Sequence, residues 1–305
     1  MITKTNKHQI FFIILSLIVL FGCLGSDGLF LDLIGFGISI NLFDETHSKN
    51  IIFWSLCLIG TLGVSHGAFD GKIIWKHSNK NSPRFKLYTL YILLTLLGAI
   101  LWFYFPILGL GLLLFLSCIH FGLSDLSFIK GESIVPMISW GFIMTFLPVL
   151  FKPLIVHDLF YDLTLVSINT EFFDLIRVAI IINIFLFISY LVFRLSDNKN
   201  INKIGLKLTL FELSLLIALA YYLDPLVWFA LYFCGLHGLR AIMILNFKFI
   251  PDILWVIIFS VPIILFIFLT NWNYNLSNLL VIFPVLASLT IAHMLLPKLK
   301  NFIKT

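Results

Sequence analysis

The chain has 305 residues, a net charge of +5 and a composition that is 60 % hydrophobic and only 11 % charged. With a mean hydropathy of +1.06, so few charges exclude a water-soluble globule, whose surface needs about twice that charged share. The basic balance does not indicate nucleic acid, because Lys and Arg of a membrane protein collect in cytoplasmic loops.

Continuous apolar runs of about 20 residues recur along the chain, each enough to cross a bilayer core as a helix and none alternating as barrel strands do. They predict an all-α, polytopic transmembrane bundle of ten spans, forming a single integral membrane domain over 1–305. The first span, 9–25, follows Lys4 and Lys7. Its Leu20-Phe21-Gly22-Cys23 loosely resembles a lipoprotein cleavage box, but Phe21 is bulky where such boxes carry a small residue. Residues 29–43 are short, contain Asp32 and are interrupted by Gly, which favours a re-entrant or interfacial segment over a span. The second span, 51–69, ends in GVSHGAFD and leads to a basic loop, 70–86, with Lys72, Lys76, Lys80, Arg84 and Lys86. Spans at 87–105, 107–124 and 134–152 follow, then an acidic loop, 153–175, with Asp158, Asp162, Glu171 and Asp174. The remaining spans are 176–194, 206–223, 226–246, 251–270 and 277–296, with basic residues near 195–207 and in the tail. If 29–43 does not cross, the basic loops and both termini fall on the cytoplasmic side of a multi-pass protein of the inner (plasma) membrane. Cys23, Cys57, Cys118 and Cys234 lie in apolar runs without C-x-x-C spacing, against a disulfide or thiolate metal site.

The histidines divide into two sets. His8, His47, His77 and His157 lie in loops or near a terminus, where a solvated imidazole needs no special role. His66, His120, His237 and His293 lie inside spans, where ionisable groups are costly and mark functional sites by default. All four fall at or beyond the midpoint of spans running in one direction, at depths that agree within roughly 8 Å. Separate polar residues bonded to neighbouring helices would explain any one of them, but four at one depth suit a metal held by imidazoles. Asp70 and Asp125, four and five residues after His66 and His120, are placed to accept the second ring N–H of a ligating imidazole; solvation at the helix ends is the other account of them. An all-imidazole set suits Fe(II), Zn(II) or Cu. Residues 63–67 also fit the G-x-S-x-G of a serine nucleophile at Ser65, a reading that leaves three membrane histidines unexplained.

Four stretches in chain order resemble one known family. GVSHGAFD at 63–70 is similar to the G-x-P-H-G-A-x-D of the Brp/Blh family of β-carotene 15,15′-dioxygenases, and HFGLSD at 120–125 to its H-F-G-x-x-D. DPLVWFALYFCGLHGLRAI at 224–242 resembles the family's aromatic-rich Y-F-x-x-x-H-S-x-R-H, and LTIAHMLLP at 289–297 its T-x-P-H. The resemblance implies a membrane enzyme with non-haem Fe(2+), splitting the central double bond of all-trans-β-carotene with O2 into two all-trans-retinal, a product for a microbial rhodopsin. It implies iron ligands at His66, His120 and His237, with His293 a further candidate, and catalytic roles at Asp70, Asp125, Tyr232 and Arg240. Arg240 is expected to pair with Asp70 or Asp125. Phe69, Phe121, Trp228, Tyr232 and Phe233 surround the motifs and are placed to flank a polyene.

Three positions depart from that pattern. Ser65 and Ala292 stand where the family carries Pro, and Ala241 stands where its third motif carries a second His. Ala cannot ligate a metal, so His293 completes the set, or the protein supplies three ligands, or the activity differs. A membrane transporter is the alternative from another class, since intramembrane polar residues also mark substrate pathways. An intramembrane serine protease at Ser65 is a third.

Overall fold

A computed structural model describes residues 3–24, 67–77, 81–129, 133–197, 202–244 and 276–303, with short pieces at 55, 58–59 and between 252 and 265. The helices are α1 (Lys4–Leu24), α2 (Asp70–His77), α3 (Asn81–Tyr104), α4 (Pro106–Asp125), α5 (Val135–Phe151), α6 (Pro153–Thr164), α7 (Thr170–Ser196) and α8 (Lys203–Tyr222). Then come α9 (Pro225–Ala230), a π-helix (Leu231–Gly238), α10 (Leu239–Ile244) and α11 (Leu276–Phe302). No strand occurs among the described residues.

Helix ends follow local chemistry. Pro106, Pro153 and Pro225 open their helices, where a missing N–H costs nothing. Asn169, Asn202 and Asp224 cap α7, α8 and α9 by accepting the backbone N–H groups of Glu171, Gly205 and Leu226. Lys152, held out of helical geometry ahead of Pro153, marks a 111° bend between α5 and α6. The acidic stretch expected as the loop 153–175 is therefore largely helical: α6 fills its first half and α7 begins at Thr170.

Among the described residues, six helices are long and apolar enough to cross a membrane, or seven if α5 and α6 form one bent span. Ten were expected. The predicted span 51–69 lies mostly outside the described residues, as does 251–270, and segment 29–43 lies wholly outside them. The outer faces of the helices are apolar, with Phe103, Leu175, Phe185 and Phe193 more than half exposed, as lipid contact demands. The core instead mixes aromatics with polar groups. Trp140, Trp228 and Tyr232 are fully buried, and so are Asp125, Glu212 and His237.

Two glycines set the tightest contact. A Cβ on Gly122 of α4 would sit 1.8 Å from the Met137 carbonyl oxygen, and one on Gly141 of α5 would sit 1.6 Å from that of Cys118. The two helices thus meet backbone to backbone, the close packing that small residues permit in a membrane. That contact brings Trp140 onto the C-terminal turn of α4, where Asp125 lies. Elsewhere α11 packs on α3, α5 on α7, and α1 on α8.

Candidate active site

Four elements converge on a cluster of imidazoles. α4 contributes His120 and Asp125, the π-helix Tyr232 and His237, α11 His293, and the first residue of α2 is Asp70. The ring of His120 lies between two others, its centroid 5.0 Å from that of His237 and 5.2 Å from that of His293, edge-on to both. The layer expected from the sequence is present for these three. His66 lies outside the described residues, together with Ser65. Among the described residues no three His, Cys, Asp or Glu side chains close around one point as a formed metal site does.

Two of the rings are held by a carboxylate that is in turn held by a phenol. His237 donates Nδ1–H to Asp125 Oδ1 at 2.8 Å, while Asp125 Oδ2 accepts from Tyr232 Oη at 2.7 Å and Trp140 Nε1 at 3.1 Å. His293 donates Nδ1–H to Asp70 at 2.8 and 2.9 Å, and Asp70 Oδ2 accepts from Tyr91 Oη at 2.9 Å. In both rings a carboxylate, which can only accept, places a proton on Nδ1, so that the neutral ring keeps its lone pair on Nε2. The π-helix matters here. Its wider turn brings Tyr232 and His237, five residues apart, onto the same carboxylate.

These pairings correct two expectations and leave a third open. Asp70 binds His293, while its expected partner, His66, lies outside the described residues. Asp125, expected behind His120, binds His237. Five residues along α4 turn Asp125 off the face that carries His120, so its carboxylate meets the ring of His237 on the π-helix instead. Arg240 pairs with neither carboxylate: its guanidinium binds Glu212 and touches Asp125 only at the backbone carbonyl, 3.2 Å away. Asp125 already accepts three donors and Glu212 faces the guanidinium from α8, so the ion pair forms there.

His8 also departs from expectation. It is buried on α1, its Nε2 3.1 Å from the Gly235 carbonyl and its Nδ1 3.3 Å from Arg240 Nε. Beside it, Gln9 donates to the Gly205 carbonyl, Thr209 and Glu212. Glu212 is an acidic residue in mid-span, so the rule that singles out the four histidines would have found it. Tyr91 had no such signal, being a phenol within an apolar run.

Apolar space adjoins the cluster. A cavity of about 160 Å³ is lined by Leu113, Phe146, Phe283, Thr290 and the rings of Phe121 and Phe233. Those last two touch His237, Phe121 edge-on at 4.8 Å and Phe233 stacked at 5.7 Å. Of the aromatics placed around the motifs, Trp228 lines the cavity too, whereas Tyr232 is committed to Asp125. A second cavity, of about 270 Å³, lies beside Asp70, Tyr91 and Leu289.

Imidazoles backed by carboxylates and phenols thus lie beside apolar space in a bundle whose apolar outer faces mark a membrane protein. The chain belongs to the β-carotene 15,15′-dioxygenase family, whose model matches residues 57–299. It is similar to a β-carotene 15,15′-dioxygenase of the uncultured marine bacterium 66A03, at 32 % identity over 202 residues, covering 62 % of this chain and 68 % of that one. No solved structure matches it.

Proposed function

We propose that the protein is an Fe(II)-dependent dioxygenase that cleaves all-trans-β-carotene at its central double bond, one O2 giving one oxygen to each of two all-trans-retinal molecules. The observation that carries this reading is the spacing of the rings. Two imidazoles bound to one metal at about 2.1 Å per nitrogen have centroids about 5 Å apart, and His120 stands at 5.0 and 5.2 Å from its neighbours. The donor chemistry agrees, since neutral imidazole suits iron and a carboxylate on Nδ1 strengthens Nε2 as a ligand.

In this reading His66, His120, His237 and His293 hold the iron, and His293 provides the imidazole that Ala241 does not. Bound iron supplies the activation of O2. Asp125 and Asp70 fix the tautomers of His237 and His293, and Tyr232, Trp140 and Tyr91 hold those carboxylates in place. Phe121 and Phe233 wall the site and keep water from it, and the apolar cavity beside them receives one arm of the hydrocarbon. The substrate enters from the lipid, and a microbial rhodopsin is the natural acceptor of the product. Both termini are cytoplasmic in a multi-pass protein of the plasma membrane.

Expression in β-carotene-producing cells tests the assignment. We expect loss of orange colour, appearance of retinal, and abolition of both by His66→Ala, His120→Ala or His237→Ala. Persistence of β-carotene with well-expressed, iron-loaded protein would count against the substrate.

A further inference from the structure

The helix farthest from the sequence motifs reaches the segment that carries His237. α1 lies ahead of the family-matched residues, yet it is joined to the π-helix by contacts that its apolar character does not explain. His8 is fully surrounded by protein. Its Nε2 faces the Gly235 carbonyl, two residues before His237, and its Nδ1 faces Arg240 Nε, three residues after. A carbonyl only accepts and a guanidinium only donates, so the two contacts define one species: neutral His8, with its proton on Nε2. The side chain therefore bridges the two ends of the segment that carries His237.

Arg240 extends the bridge. Its Nη1 donates to the Asp125 carbonyl, and Asp125 is the residue whose carboxylate holds His237 Nδ1. Its Nη2 binds Glu212, which Gln9 of α1 also reaches. Packing agrees with the bonding, since a Cβ on Gly235 would sit 3.4 Å from the Phe12 ring and 3.6 Å from Leu15, so α1 lies directly on the π-helix. A lipid-facing helix has no need of a buried His–Arg–Glu chain. The cost of burying it is offset by what it orders.

We propose that His8 is a positioning residue of the active site, clamping the π-helix at Gly235 and Arg240 so that His237 meets the other imidazoles in register. This rests on the metal reading given above. The clamp acts on the protein alone and can be read without metal or turnover.

The full-length protein in detergent tests it with His8→Leu, which keeps bulk and loses both contacts, and His8→Gln, which offers one donor and one acceptor. Asn6→Ala is the control: Asn6 is buried on the same helix but binds Asn202 of the α8 cap, not the π-helix. In metal-free protein, backbone amides of 231–240 should exchange at least about tenfold faster in His8→Leu than in wild type or Asn6→Ala, with His8→Gln between. With Co(II) as the probe, His8→Leu should shift the visible ligand-field bands and bind about tenfold more weakly. Its kcat for β-carotene should fall more than its KM rises, and His8→Gln should recover part of each loss. Wild-type exchange and an unchanged Co(II) spectrum in His8→Leu would overturn the clamp. Should His8→Leu fail to fold, His8→Gln decides: exchange at 231–240 faster than in Asn6→Ala supports the clamp, whereas wild-type exchange, spectrum and kcat in His8→Gln, or equal losses in Asn6→Ala, overturn it. If wild type binds neither Co(II) nor Fe(II), the metal reading falls, and the exchange result still decides the clamp.

Discussion

Replacing Asp125 by Asn tests the chemistry of the site most sharply, because shape is kept while one hydrogen-bonding face changes sign. Three donors converge on this carboxylate: His237 Nδ1 on Oδ1, and Tyr232 Oη and Trp140 Nε1 on Oδ2. An amide can accept on one side only. Turned with its oxygen toward Tyr232 and Trp140, it keeps two bonds and sets its NH2 against His237. That ring must then accept at Nδ1 and carry its proton on Nε2, the tautomer that cannot ligate a metal. Turned the other way, the amide opposes the indole N–H, which has no lone pair to offer. The first arrangement loses one charge-assisted bond, about 1.5–3 kcal/mol. At about 1.4 kcal/mol per decade this is about a 10- to 100-fold loss of metal affinity, the range known for such supporting carboxylates. Titration of metal-free Asp125→Asn with Co(II) against a competing chelator measures it. Affinity within about twofold of wild type would show that the carboxylate does not set the tautomer of a ligand, and the reasoning would fail.

Tyr91→Phe removes the donor to Asp70 Oδ2 and should weaken metal binding less than Asp125→Asn, by about fivefold for a bond of about 1 kcal/mol; an equal or larger loss in the same titration would mean that Asp70 depends on Tyr91 for more than one bond. Ala287→Phe fills the 160 Å³ cavity beside Phe121 and Phe233 and should lower β-carotene turnover while leaving iron content unchanged, as metal analysis of the purified variant would show. Gly141→Ala puts a methyl where the Cys118 carbonyl oxygen already lies and should destabilise the protein by about 1–3 kcal/mol, measured as a lower thermal midpoint in detergent.

The helical class and most of the cluster were legible because membrane burial makes polar residues conspicuous. His120, His237 and His293 stood out in apolar runs, and depth alone was enough to place them in one layer. Partner choice was not legible. Asp125 reaches a ring on another helix, and a helical spacing rule sees only one helix at a time. The expected span ended at 152, where the bend at Lys152–Pro153 lies, but the acidic residues beyond it suggested a loop where α6 forms. His8 was misread for a different reason. It sits close to the N-terminus, where solvent is the ordinary expectation, and only the packing of α1 on the π-helix reveals that it is enclosed.

The contact between Gly122 and Gly141 has a mechanical consequence. Helices whose backbones already touch have no slack, so α4 and α5 behave as one rigid jaw that carries His120, Asp125 and Trp140 together. A long, stiff hydrocarbon cannot enter by parting that pair. On the other side of His120, α11 brings His293 and packs on α3 at Gly98, where an added Cβ would sit 3.1 Å from the Ser288 side chain. In the proposed reaction, the way in for substrate is therefore to be sought away from the α4–α5 seam.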